Sequence, residues 1–128
     1  MQRMWIGLGG LTGCAAVAVA AVLAHAVPDI SPAARRAAES GLQMQGWHTL
    51  AMIGAALWAP RGSVRSWYVA QGAAAAFFVG MLMFCGATYS VGLAGVSLGV
   101  VAPIGGTLLM LGWLLLTVSA LIPPGRRR

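Results

Sequence analysis

Polar and turn-forming residues cut this chain into four apolar runs, and the run lengths set the first expectation. Met4 to Ala26 is apolar almost without interruption, and at 1.5 Å of helix rise per residue it is long enough to cross a hydrocarbon layer of roughly 30 Å. A second run covers residues 43–59 and stops before Pro60; a third covers 64–89; a fourth covers 100–122. The stretch from Tyr89 to Gly99 is rich in glycine and serine. A reversal is required there, because one unbroken helix from Trp67 to Leu121 would be about 80 Å long, well over two hydrocarbon thicknesses. The pattern therefore predicts an all-α fold, an integral membrane four-helix bundle.

The first connection carries a signal of a different kind. Ser31 suits a helix N-cap, Pro32 the first helical position, and Gly41 a stop after the alanine-rich residues between them. A short extramembrane helix over about 32–40 is predicted, with Arg35 and Glu39 one turn apart and able to pair on its wet face. It reads first as a rigid connector and alternatively as a docking surface for a partner.

Composition reinforces the membrane reading. Of 128 residues 59% are hydrophobic, and only ten are charged, so apolar surface exceeds what a water-soluble core of this size could bury. All eight basic residues are arginines, for a net charge of +6. They sit at the ends of apolar runs rather than on a solvated basic face, which argues against nucleic acid as a partner and for membrane lipid. Four crossings would place Arg3, Arg61, Arg65 and the tail Arg126, Arg127 and Arg128 on one side with no acid, whereas Arg35 and Arg36 face Asp29 and Glu39 on the other. By the positive-inside rule both termini are cytoplasmic. Trp5, Trp58 and Trp67 then fall near the inner interface and Trp47 near the outer one, while Trp113 lies within the fourth helix. Ala24-His25-Ala26 and Leu11-Thr12-Gly13-Cys14 resemble signal-peptide and lipoprotein cleavage sites, but the same small residues serve close helix packing, and a retained first helix is expected.

Candidate chemistry is sparse. No nucleophile with an adjacent base, phosphate-binding loop or paired carboxylate is visible, so no enzyme is expected. Four polar residues converge near the outer side in this topology: His25, Gln45, His48 and Tyr89. They form the candidate ligand-binding group, since polar side chains in hydrocarbon must be paired or hydrated. His25 and His48 are the only two histidines, so axial ligation of haem b is the alternative to a sequence without cofactor. Cys85 and Glu39 add no ligand spacing that would build a metal site. Cys14 and Cys85 sit at different depths and are expected to stay free. Gly9 and Gly13, and Gly95 and Gly99, are small-residue pairs that would let helices approach closely, through other membrane subunits, a second copy or the same chain. Pro103 fits a helix start and, with Gly105 and Gly106, a close-packed first turn; a gate made by a broken helix is the other reading.

These residues also carry a resemblance. Ala24-His25-Ala26, Gln45-Gly46-Trp47-His48-Thr49-Leu50-Ala51, Phe84-Cys85-Gly86-Ala87-Thr88-Tyr89, and Gly99 to Gly106 with Gly112-Trp113 downstream resemble the uncharacterised family of small membrane proteins that includes bacterial YgdD and eukaryotic transmembrane homologues. Its most specific part is Pro103-Ile104-Gly105-Gly106, where Ala102 replaces the usual threonine. Ala24, Gly46 and Trp47 stand where the family often has glycine, methionine and tyrosine. The resemblance implies a four-helix protein of the bacterial inner membrane without an established activity. With the pattern above, it leads to a non-enzymatic structural, assembly or accessory component as the expected function, and a small-molecule binding or transport module as the alternative.

Overall fold

A computed structural model describes residues 1–27 and 29–123; the arginine tail at 126–128 lies outside them. Four helices follow in order: α1 (Gln2–His25), α2 (Pro32–Trp58), α3 (Val64–Ala94) and α4 (Val101–Leu121), with a 3-10 turn over Ala59–Arg61 between α2 and α3. α1, α3 and α4 are long and apolar enough to span a membrane. α2 is as long, but its first half carries Arg35, Arg36 and Glu39.

The helices pack antiparallel in chain order, α1 on α2, α2 on α3 and α3 on α4. α2 and α3 form the central pair, around a core of Met52, Ala55, Ala73, Ala74, Phe77 and Met81. Alanine, glycine and serine dominate the contacts because lipid offers no hydrophobic drive for helix association, so close approach and hydrogen bonds must supply it. The tightest approach is between α3 and α4. A Cβ built on Gly105 would stand 2.5 Å from the Phe84 backbone nitrogen and 2.8 Å from the Gly80 carbonyl oxygen.

Three expectations about the elements change. Ser31 does cap α2, accepting from the Ala34 backbone N–H at 3.2 Å with Pro32 in the first turn. Gly41, however, does not end the helix, and no separate surface helix exists over 32–40: α2 runs on without a break. Gly41 is buried against α3, where a Cβ would meet the Thr88 hydroxyl and come 2.9 Å from the Tyr89 ring. The glycine makes room for a neighbour instead of a turn, and Ala38, fully buried, packs likewise against Gly92. Arg35 does not pair with Glu39. Its guanidinium donates to the carbonyl oxygen of Leu23 (3.0 Å) in the last turn of α1, an acceptor that a helix C-terminus leaves unsatisfied and that carries the negative end of its dipole, and to that of Val27 (3.2 Å) just beyond the helix.

Gly95 and Gly99 do not pack helices either. α3 extends to Ala94, past the expected end at residue 89. Gly95 closes it at φ 69°, and Gly99 follows at φ 55°. Both occupy the left-handed region that side chains resist, and neither has an atom within 4 Å of a built Cβ. Gly9 does pack, with Ile53 of α2 at 2.5 Å from the built Cβ, while Gly13 is looser at 3.9 Å from Thr49. Pro103 sits in the first turn of α4, where no helical hydrogen bond is lost and no kink is needed. Gly106 touches only the Phe84 ring, at 3.7 Å.

Candidate functional site

The polar side chains inside the bundle gather into separate nodes, and the four candidates are divided among them. Gln45 on α2 and Tyr89 on α3 do meet: the Tyr89 hydroxyl donates to Gln45 Oε1 at 2.6 Å. Gln45 Nε2 donates in turn to the Thr12 carbonyl oxygen of α1 at 2.7 Å, and one turn along, Thr49 Oγ1 donates to Thr12 Oγ1 at 3.0 Å. Three helices are thus joined around one buried amide. Beside it lies a cavity of about 280 Å³ bordered by Thr12, Gln45, Met81, Cys85 and Tyr89. Cys85 and Cys14 are free, and the Cys85 thiol lies 3.2 Å from the Gly41 carbonyl oxygen.

His48 is on a different face of α2 and turns toward α4. Its Nδ1 is 2.8 Å from the Met44 carbonyl oxygen and its Nε2 3.2 Å from Trp113 Nε1. A carbonyl can only accept and an indole N–H can only donate. The two contacts are met together when Nδ1 carries a proton and donates to Met44 while Nε2 accepts from the indole. Phe77 completes an aromatic group, its ring 5.7 Å from His48 and 5.2 Å from Trp113. A groove of about 630 Å³ runs past His48 and Trp113, lined also by Met44, Phe84, Pro103 and Met110.

His25 joins neither node. It is exposed in the last turn of α1. Thr12 is level with Gln45 and Thr49, and hence with His48. His25, thirteen residues further along α1, is then about 20 Å away along the bundle axis. One haem iron cannot take both imidazoles at about 2 Å, and the only lone pair of His48 is already engaged. The expectation of a single outer level fails because α2 begins at residue 32, eleven residues before the predicted start at 43. His48 consequently lies within the body of α2, whereas His25 stands at the end of α1. No group of three or more His, Cys, Asp or Glu side chains that could hold a metal occurs among the described residues.

Two further nodes, at the end of the bundle where the chain begins, were not singled out from the sequence. Trp5 Nε1 donates to Gln71 Oε1 at 2.6 Å, fastening α1 to α3. Ser66 and Ser119 clasp α3 to α4 reciprocally: Ser66 Oγ donates to the Ser119 carbonyl oxygen at 2.7 Å, and Ser119 Oγ to the Ser66 carbonyl oxygen at 3.0 Å. Trp58 of α2 donates to Ser119 Oγ at 3.1 Å. A lone polar residue inside an apolar run, such as Gln71 or Ser119, was the available signal, because each must find a partner in hydrocarbon. No buried side-chain nitrogen or oxygen lacks a partner among the described residues.

Comparison with known proteins fits this architecture. Residues 19–106 match the family described as Protein of unknown function (DUF423). A UPF0382 membrane protein of Haemophilus influenzae is 32% identical over 122 residues, covering 94% of this chain and 95% of the relative. A UPF0382 membrane protein of Staphylococcus epidermidis is 31% identical, covering 94% and 97%. The UPF0382 inner membrane protein YgdD of Escherichia coli is 29% identical, covering 94% and 91%. No solved structure matches. The chain is a small multi-pass protein of the bacterial inner membrane and belongs to the DUF423 family.

Proposed function

We propose that this protein is a non-enzymatic structural, assembly or accessory component of a membrane protein complex. The observation that carries the reading is how the internal polar groups are spent. Gln45, His48, Gln71, Ser66 and Ser119 are each bonded across a helix crossing, and both nitrogens of His48 are engaged. These contacts favour holding helices together over presenting reactive groups. The outward faces suit lateral association: Gly7 and Gly10 on α1, and Gly46 and Gly54 on α2, have no atom within 4 Å of a built Cβ, and such open small residues allow another helix to approach. A binding or transport module has less support, because its proposed ligands are divided between nodes.

Four crossings with both termini in the cytoplasm complete the proposal. Trp5 bonded to Gln71 and Ser66 bonded to Ser119 put Arg3, Arg61 and Arg65 at one end of the bundle, and Asp29 and Glu39 belong to the other.

Extraction in a mild detergent followed by native electrophoresis and subunit identification tests the role. A defined integral membrane partner, or a second copy, in fixed ratio is the expected result. A solely monomeric protein with a stoichiometric small molecule would overturn it. Cysteine labelling in a Cys14→Ala, Cys85→Ala background tests orientation: a probe at Ala37 that reacts only from the cytoplasmic side refutes it.

A further inference from the structure

The elbow between α2 and α3 combines charge, a recess and aromatic surface at one end of the bundle. Arg61 and Arg65 flank it, both exposed. Arg61 directs Nη1 back to the Leu57 carbonyl oxygen at the end of α2, and most of its five N–H donors remain for a ligand. Arg65 forms no ion pair or side-chain hydrogen bond among the described residues. Next to them is a recess of about 220 Å³ bordered by Pro60, Ser63, Trp67 and Tyr68. The two aromatic rings stand edge to face with centroids 4.7 Å apart, and Tyr68 is exposed.

Charge around this edge is uncompensated. Arg3 lies at the same end of the bundle, and the only two acids of the chain, Asp29 and Glu39, precede or belong to the far half of α2. Guanidinium groups match the geometry of phosphate oxygens, and Trp and Tyr favour the depth of lipid headgroups and glycerol. We infer that the α2–α3 elbow is a headgroup site for an anionic phospholipid, with Arg61 and Arg65 on the phosphate and the Trp67–Tyr68 pair against the glycerol and upper acyl chain. A bilayer lipid is favoured over a soluble phosphate because α3 is apolar from this point inward and the recess opens beside it, so an acyl chain continues along the helix. The inference does not depend on the accessory role or on orientation.

The test uses the full chain in symmetric bilayer discs containing equal amounts of phosphatidylglycerol and phosphatidylcholine with matched acyl chains. The ratio of the two lipids retained by the protein is read by native mass spectrometry. The wild type is expected to retain phosphatidylglycerol preferentially. Because a basic residue at an anionic surface contributes a factor of about five, Arg61→Gln with Arg65→Gln should lower the preference by at least about fivefold. The change Arg36→Gln, at the opposite end, should leave it unaltered. Arg65→Gln alone keeps the test valid if loss of the Arg61 contact with Leu57 disturbs folding, since Arg65 has no bond to lose; it should lower the preference up to about fivefold. Equal retention of both lipids by the wild type, or an unchanged preference in Arg65→Gln, overturns the site. Displacement of the lipid by millimolar glycerol phosphate overturns the assignment to a bilayer lipid and identifies a soluble phosphate site instead.

Discussion

Replacing Gly105 by alanine adds one methyl group where α3 and α4 are closest. The new Cβ would lie 2.5 Å from the Phe84 nitrogen and 2.8 Å from the Gly80 oxygen. Both are backbone atoms of α3, so no side-chain rotation relieves the clash. Ordinary contact begins near 3.4 Å, and α4 must therefore withdraw by about 0.9 Å. That retreat also loosens Gly112 against Phe77, where a built Cβ is only 2.6 Å from the ring. Overpacking of this kind costs about 1–3 kcal/mol, against a gain of about 0.8–1 kcal/mol from replacing glycine by alanine within a helix. Gly106 supplies the control. Its built Cβ meets only the Phe84 ring at 3.7 Å, so Gly106→Ala keeps the propensity gain and should match or exceed the wild type. Unfolding of the purified proteins in mixed micelles by increasing SDS, followed by circular dichroism, measures the difference. Equal midpoints for Gly105→Ala and Gly106→Ala would refute the claim that backbone approach at Gly105 sets the spacing of α3 and α4.

Three other outcomes follow from the polar nodes. Tyr89→Phe removes the hydroxyl bonded to Gln45 and should cost about 0.6–1.7 kcal/mol, the range for hydrogen bonds between membrane helices; Gln45→Leu, which also removes the donor to the Thr12 carbonyl oxygen, should cost more in the same SDS titration. Ser119→Ala leaves Trp58 Nε1 without its acceptor and Ser66 without one of its bonds, so it should destabilise by about 1–3 kcal/mol, with altered tryptophan emission as a second readout. Addition of haem to the purified protein should give no reduced b-type absorption spectrum, since His25 and His48 occupy separate levels; a spectrum lost in His48→Ala would contradict the assigned tautomer and spacing.

The all-α class and the four long helices were legible because long uncharged runs admit few other structures in a chain this poor in polar residues. The N-terminus of α2 was also legible, since Ser31 and Pro32 act locally. Gly41 was misread for a physical reason. A glycine after an alanine-rich turn means a stop when water lies beyond it and a close approach when a helix does, and only the tertiary partner, here Thr88 and Tyr89, distinguishes them. The same ambiguity ran the other way at Gly95 and Gly99. Ending a helix at Gly41 put the start of the next at residue 43, which is why His48 was set level with His25. Gln45 and Tyr89, two of the four grouped residues, do meet, a contact set by the relative register of α2 and α3.

Register also explains how the bundle closes. Chain-order packing alone yields three hairpins that could lie side by side in the membrane, with α1 and α4 at the margins. The diagonal relations, α1 to α3 and α2 to α4, need reach across an intervening helix, and indoles supply it: Trp5 to Gln71, Trp113 to His48 and Trp58 to Ser119. Each indole has one donor and must find an acceptor away from water, and each acceptor is a polar residue isolated in an apolar run. In hydrocarbon, where apolar contact scarcely distinguishes protein from lipid, these three bonds discriminate a folded cluster from a flat array. Of the four residues that first suggested a ligand site, His48 is one of the partners that this closure uses.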